Sequence, residues 1–130
     1  VPVFPSWSRS QGWIAAGLSP TSGFGLDIEC LRAIDEAAVL KTICSPDEQR
    51  QLATHPAAPA LFWQVWTAKE AVLKALGTGF QTPVRSISLP IDSLADPSSP
   101  DFTVAAAGRT LDLHIDTRPA CVIAAAWIRP

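Results

Sequence analysis

Four charged side chains occur at spacings that suit a cation and phosphate groups. Asp27 and Glu29 are two residues apart in an apolar run, and residues two apart in a strand share a face. Glu70 and Lys74 are four residues apart in a helical pattern, so they stack on one helix face. Each pair alone is typical of a solvated edge or an ordinary surface ion pair. Together they are the oxygen ligands and the cation that suit a site for Mg²⁺ and phosphate.

The acidic pair lies in the second of two predicted strands near the start of the chain. The segment 1–12 is rich in proline and serine and is predicted as a loop. Short apolar runs follow at 12–20 and 24–30. They are predicted to pair as a hairpin across the turn between Ser19 and Gly23.

Three helices are predicted next, and the longest carries the Glu70–Lys74 pair. The first lies near 33–43. The second begins after Ser45, because Pro46 suits the first helical position and Glu48 completes a capping box with Ser45. The longest begins at proline and ends at glycine, over 59–77.

The remaining apolar runs are predicted as strands, at 84–89, 102–107, 110–116 and 121–128. Strict alternation of apolar and polar residues in 110–116 is typical of a half-buried strand. The whole of 1–130 is predicted to be a single domain, which its length suits.

Composition excludes several classes of protein. With 48% apolar and 17% charged residues, the chain is expected to bury a real core. A net charge of −2 without a basic run argues against nucleic-acid binding, and no apolar run has transmembrane length, so no membrane partner is expected. The wide spacing of Cys30, Cys44 and Cys121 predicts neither a disulfide framework nor structural zinc, and favours a cytoplasmic location.

Two motifs in order resemble the 4′-phosphopantetheinyl transferase superfamily. Its pattern is a Gly-x-Asp-x-Glu strand, then a Trp-(Ser/Thr)-x-Lys-Glu-(Ala/Ser)-x-x-Lys helix that ends in Gly-x-Gly. The resemblance implies an α+β fold, with an antiparallel sheet packed against one long and two shorter helices. The matching residues are Gly25, Asp27 and Glu29, then Trp66, Thr67, Lys69, Glu70, Ala71, Lys74, Gly77 and Gly79.

The resemblance implies transfer of 4′-phosphopantetheine from coenzyme A to a serine of an apo acyl or peptidyl carrier protein. Adenosine 3′,5′-bisphosphate is the other product. Asp27, Glu29 and Glu70 would hold Mg²⁺ with the coenzyme A pyrophosphate. Lys74 would stabilise the leaving phosphate, and Glu70 would take the serine proton directly or through a water. Lys69 is predicted to contact a phosphate.

Further contacts with coenzyme A are predicted at both ends of the motif. Gly77 and Gly79 either cap the helix or let backbone approach the ligand. Larger members of the superfamily carry an Asn-x-Ser-His-Ser loop that touches coenzyme A phosphate. Ser8 and Ser10 fit that loop, while Arg9 replaces its histidine, and a guanidinium also binds phosphate.

The second departure concerns assembly. Enzymes with the Asp-x-Glu pattern usually have two similar halves, and this chain resembles the second half only. The small acyl-carrier-protein synthase class has chains of about this length and forms trimers. A homo-oligomer is therefore predicted, with a trimer favoured and coenzyme A between subunits. The five tryptophans suit such an interface, although a core location is the alternative.

Other interpretations stay open. The chain is alternatively a non-catalytic module that docks a carrier protein, or a transferase domain of a larger polyketide or fatty-acid synthase. The four charged residues favour transfer, because a docking module needs no metal site. A Mg²⁺-dependent phosphodiester hydrolase is disfavoured, because His55 and His114 lie elsewhere and are predicted to be structural or exposed.

Overall fold

The computed structural model describes residues 1–56, 58–78, 81–96 and 98–130. Its α+β architecture, with antiparallel strands and several helices, confirms the predicted fold class. The strands are β1 (Phe4–Ser10), β2 (Trp13–Ser19), β3 (Phe24–Cys30), β4 (Asp101–Ala106), β5 (Arg109–Thr117) and β6 (Cys121–Ile128). The helices are α1 (Glu36–Ile43), α2 (Pro46–Ala53), α3 (Pro59–Leu76) and α4 (Ile91–Ala95), and a 3₁₀ turn spans Val84–Ser86.

One layer is a four-stranded antiparallel sheet with the strand order β3-β6-β5-β4, and α3 packs across it. Leu111, Leu113 and Ile115 alternate with polar residues along β5 and are buried, which confirms the half-buried strand predicted there. They share the main core with Val65 and Val72 of α3. The helix therefore lies over β5 and β6 and reaches the edge strand β3.

A glycine lets α3 and β3 approach closely. A Cβ atom built on Gly25 would overlap the Ala71 carbonyl oxygen and the Ala75 amide nitrogen. Ala71 and Ala75 are themselves small and buried, so backbone meets backbone at this crossing. The Cβ of Lys74 also faces Gly25, which places the lysine side chain beside β3.

The helix ends follow the predicted signals. Ser45 caps α2: its hydroxyl accepts from the Glu48 amide at 3.2 Å, and the Glu48 carboxylate accepts from the Ser45 amide at 3.0 Å. Pro46 occupies the first turn. At the other end of α3, Gly77 adopts a left-handed φ of 66° and its amide donates to the Leu73 carbonyl at 3.0 Å. The capping box and the glycine cap are both confirmed.

The N-terminal prediction was wrong. Residues 4–10, predicted within a loop, form β1, and β2 pairs with β1 rather than with β3. The turn between them is Gln11–Gly12, whose φ values of 49° and 84° suit a tight two-residue hairpin. The first of these is uncommon for a residue with a side chain, so the pattern did not indicate a turn.

Serine side chains explain why a proline- and serine-rich segment is a strand here. Alternate serines of β1 point at the free edge of β3. The Ser6 hydroxyl accepts from the Leu26 amide at 2.9 Å, and the Ser10 hydroxyl accepts from the Cys30 amide at 3.0 Å. These contacts satisfy backbone donors that an edge strand would otherwise leave unpaired. The stabilising partner is 20 residues away in sequence, beyond the reach of local pattern.

Two further predictions were wrong. The run 84–89 is no strand: it begins with the 3₁₀ turn, and the Leu89 amide donates to the Glu48 carboxylate at 3.2 Å. Cys30 and Cys121 face each other across β3 and β6 and form a disulfide, with Cα atoms 4.0 Å apart. Their separation of 91 residues carries no sign of that pairing. Among the described residues, no helix is long and apolar enough to cross a membrane.

Replacing Gly25 by alanine tests the close crossing. The added methyl group would push against helix backbone, which has no room to yield, so we expect the free energy of unfolding to fall by about 1–3 kcal/mol. Urea denaturation followed by tryptophan fluorescence measures this. An unchanged midpoint would contradict the crossing described here.

Candidate functional site

Asp27 is a buried carboxylate with one unused oxygen. Its side chain points from β3 towards α3 and the residue is 4% exposed. Oδ1 accepts hydrogen bonds from the Ser8 hydroxyl at 2.8 Å and from the Lys74 ammonium at 3.1 Å. Oδ2 is buried and has no hydrogen-bond partner among the described residues. Leaving a buried acceptor unpaired costs about 1–3 kcal/mol, more when it is charged, so this oxygen is where an added ligand would be most favourable.

Glu29 and Glu70 share the electrostatic environment of Asp27. Burial raises the pKa of all three carboxyl groups, in Asp27 against the lowering effect of its bonds to Ser8 and Lys74. The charge of Asp27 further raises the pKa of both Glu29 and Glu70. Three carboxylates that disfavour one another's charge form an acidic site, contributed by β3 and α3.

The chemistry of these donors fits a hard cation. Mg²⁺ takes carboxylate oxygens and keeps several waters, so it does not require a complete cage of protein ligands. The unpartnered Oδ2 of Asp27 and the mutual repulsion of the three acids are what such a cation would relieve. In their present positions, however, no three histidine, cysteine, aspartate or glutamate side chains of the described residues form a cluster that could hold a metal ion.

Lys74 joins the helix to the acidic strand. Its ammonium donates to the Leu26 carbonyl at 3.0 Å and to Asp27 Oδ1 at 3.1 Å, with a longer contact of 3.3 Å to the Trp7 carbonyl. The side chain is 35% exposed, whereas that of Asp27 is 6% exposed. Lys74 therefore places a positive charge at the boundary between the buried acid and solvent.

A cleft of about 660 Å³ opens beside Glu70 and Lys74. It lies between α1, α3 and the segment around the 3₁₀ turn, and its wall is mostly apolar. Gly77, the cap of α3, also lines it, so three of the predicted site residues meet at one cavity. Gly79, predicted as a further contact, lies outside the described residues. The lining is Thr42, Ile43, Glu70, Leu73, Lys74, Gly77, Thr82, Pro83 and Val84.

Lys69 does not have the environment predicted for it. Its side chain is fully buried, and its ammonium donates to the Glu48 carboxylate at 2.7 Å, the Ile43 carbonyl at 2.7 Å and the Val84 carbonyl at 3.2 Å. All three protons of the ammonium are therefore used inside the protein. A phosphate cannot reach this group, so the predicted phosphate contact is replaced by a structural role.

The upstream residues divide between two faces of β1. Ser8 and Ser10 point at β3, where the Ser8 hydroxyl binds Asp27 and the Ser10 hydroxyl binds the Cys30 amide. Arg9 lies between them and so faces the opposite side of the strand, where it is exposed. The structure brings Ser8 to the acidic site and leaves Arg9 on the outer surface.

Sequence reasoning missed two residues that neighbour the predicted ones. Arg32 binds the Glu29 carboxylate at 3.1 Å, and its position three residues later was the only available signal. Glu48 was identified as a helix cap, but its role as the partner of Lys69 is a tertiary contact. The histidines lie elsewhere, as predicted: His55 pairs with Asp92 and His114 with Asp101, each at 2.7 Å.

Comparison with known proteins identifies the class to which this fold and site belong. A family model described as the 4′-phosphopantetheinyl transferase superfamily matches residues 23–125, and the chain belongs to that superfamily. Among similar proteins is the 4′-phosphopantetheinyl transferase psf-1 of Bacillus pumilus, 32% identical over 83 residues. The alignment covers 62% of this chain and 35% of that protein, so the chain spans about a third of its relative's length. The predicted family is confirmed.

The buried Lys69–Glu48 pair gives a stability test of the corrected role. Replacing Lys69 by methionine leaves the Glu48 charge buried without a counter-ion, so we expect a loss of about 3–5 kcal/mol in the free energy of unfolding. Adding Glu48→Gln removes that charge yet keeps an amide oxygen for the Ser45 N–H, so the double variant is expected to regain part of the loss. Chemical denaturation of both variants is the measurement. A Lys69→Met protein as stable as the wild type would contradict the pair.

Proposed function

We propose that this chain transfers 4′-phosphopantetheine from coenzyme A to a serine hydroxyl of an apo acyl or peptidyl carrier protein, in a Mg²⁺-dependent reaction. The serine oxygen bonds to the phosphorus next to pantetheine, and adenosine 3′,5′-bisphosphate leaves with the bridging oxygen. The observation that carries the proposal is the buried Asp27 carboxylate, with one unpartnered oxygen, beside Lys74. Membership of the superfamily supports the choice of reaction.

Asp27, Glu29 and Glu70 are the proposed ligands of Mg²⁺. A diphosphate added to three carboxylates would be strongly disfavoured without a cation, and these are the three acids whose pKa values are raised by burial. When bound, Mg²⁺ would act as a Lewis acid that stabilises charge on the pyrophosphate.

The remaining chemistry is assigned to side chains at the cleft. Lys74 offsets the negative charge that develops on the leaving phosphate, from its partly exposed position at the boundary of the buried acid. Glu70 accepts the serine proton, directly or through a water. The apolar wall, including Ile43, Leu73 and Val84, offers contact for the uncharged part of the substrate. Ser8 holds Asp27 in place through its 2.8 Å hydrogen bond.

Transfer is tested by incubating the chain with apo carrier proteins, coenzyme A and Mg²⁺, and weighing the carriers by mass spectrometry. We expect a gain of one phosphopantetheinyl group per carrier. Asp27→Ala and Glu70→Ala should abolish it while circular dichroism stays that of a folded protein. Lys74→Ala should lower kcat about 10²–10³-fold, more than it raises the KM for coenzyme A, because the contact strengthens in the transition state.

Asp47→Ala is a suitable control, because Asp47 is an exposed acid paired with Arg50 on α2 and should leave transfer unchanged. Wild-type rates in the Asp27 or Glu70 variants would reject the metal assignment. A Lys74 variant with normal kcat and only a raised KM would point to ground-state binding instead.

We also propose that the active form is a homo-oligomer, with a trimer favoured and coenzyme A bound between subunits. The outer face of the β1–β2 hairpin exposes large apolar side chains: Trp7 is 63%, Ile14 70% and Leu18 70% exposed. An apolar face of this kind on a small chain is typical of an interaction surface. Arg9 shares that face and is proposed to contact a phosphate of the nucleotide there. Trp63, in contrast, is a core residue.

Light scattering on the purified chain, with and without coenzyme A, tests the assembly. We expect a mass of three chains, and we expect Ile14→Glu to reduce it by placing a charge on the apolar face. A monomer that transfers phosphopantetheine would contradict the shared site. An inactive monomer would indicate that the activity requires another polypeptide segment.

The cytoplasm is the proposed location. Disulfides persist mainly in oxidising compartments, so the Cys30–Cys121 pair is expected to be reduced there, because a reducing compartment keeps thiols free. Cys44 is a buried thiol whose pKa burial raises to about 11, so it stays protonated at neutral pH.

A further inference from the structure

Arg32 lies just beyond the end of β3 and contacts three parts of the molecule at once. Its Nη1 donates to the Glu29 carboxylate at 3.1 Å and to the Cys30 carbonyl at 3.0 Å. Its guanidinium carbon lies 5.1 Å from the ring centre of Trp63 and 5.3 Å from that of Trp66. The side chain is 29% exposed, so solvent reaches it from one side only.

The two tryptophans form a platform for the guanidinium. Trp63 and Trp66 lie one turn apart on α3, with ring centres 5.6 Å apart and planes inclined by 16°. A planar guanidinium stacks on aromatic faces while its N–H groups stay free to bind a carboxylate at the edge. Trp66 is four residues before Glu70, so the platform ends one turn from the acid that α3 contributes.

We propose that Arg32 is a positioning residue for the acidic site: supported by the Trp63–Trp66 platform, it holds the Glu29 carboxylate in the orientation that the site uses. This inference rests on the proposed function for its consequence but not for its geometry. A glutamate side chain has three rotatable bonds, and Arg32 supplies the hydrogen bond that the structure shows to this carboxylate. Arg32 thereby ties Glu29 of β3 to the surface of α3, much as Lys74 ties Asp27.

The contact is tested first in the protein without ligands. Arg32→Ala, Glu29→Gln and the double variant form a cycle in which unfolding by urea is measured for each. We expect non-additive changes in the unfolding midpoint, and a changed near-ultraviolet circular dichroism of the tryptophans whenever Arg32 is altered. Arg50→Ala with Asp47→Asn is the matched control, because it is an Arg–carboxylate pair of the same spacing and of 3.0 Å, but fully on the surface. Additive effects at Arg32 and Glu29 would overturn the proposal.

The positioning role is tested by binding of Mn²⁺, a probe for the Mg²⁺ site, measured by calorimetry with coenzyme A present. We expect Arg32→Ala to weaken Mn²⁺ binding roughly tenfold to a hundredfold, as is usual when a partner of a metal ligand is removed. Arg32→Lys should recover part of it, because the charge remains while the stacked planar contact is lost. Wild-type Mn²⁺ affinity in the alanine variant would overturn the positioning role.

The two measurements also separate this inference from the proposed function. If the wild type binds no Mn²⁺ and modifies no carrier, but the cycle still shows coupling, the proposed function fails and the placement of Glu29 by Arg32 stands. If the wild type transfers phosphopantetheine and the cycle shows no coupling, the proposed function stands and this inference fails.

Discussion

The contact of α3 with β3 at Gly25 is the constraint on which the rest of the site depends. Without a side chain at this position, the helix backbone at Ala71 and Ala75 lies directly against the strand. Side chains that leave α3 on either side of the crossing therefore start close to β3. This is how Lys74 reaches both Asp27 and the Leu26 carbonyl. A helix held further away by a larger residue would place the same charged groups too far apart to act together.

The two lysines of α3 show how burial separates roles that a motif presents together. Lys69 and Lys74 are five residues apart, so they leave different faces of the helix. Lys69 points into the protein and joins the end of α1, the start of α2 and the 3₁₀ turn through its three hydrogen bonds. Lys74 points along the outer edge of β3, beside the cleft. One holds the segments that form a wall of the cleft, and the other faces its contents.

The predictable features were those that local sequence determines. The capping box at Ser45, the glycine cap at Gly77 and the shared face of β3 each depend on residues a few positions apart. The family motifs joined these pieces into a fold and a class of reaction.

The features that could not be predicted depend on partners distant in sequence. Ser8 is an ordinary serine until β1 lies beside β3, and Cys30 and Cys121 meet only because β3 and β6 pair. Lys69 matched a motif, but only the fold shows that Glu48 lies within 2.7 Å of its ammonium. Local pattern carries no information about such contacts.

The crowded carboxylates have a consequence for how long the folded protein persists. Because burial raises the pKa of Asp27, Glu29 and Glu70 above their ordinary values, ionising them disfavours the folded state relative to the unfolded one. Their contribution to folding is neutral while all are protonated, and becomes unfavourable as the pH rises through the raised values. A cation or ligand that binds only the folded site removes that penalty and adds its own binding free energy. In a cell, chains that find their substrates would therefore unfold less often and be degraded more slowly than chains that do not.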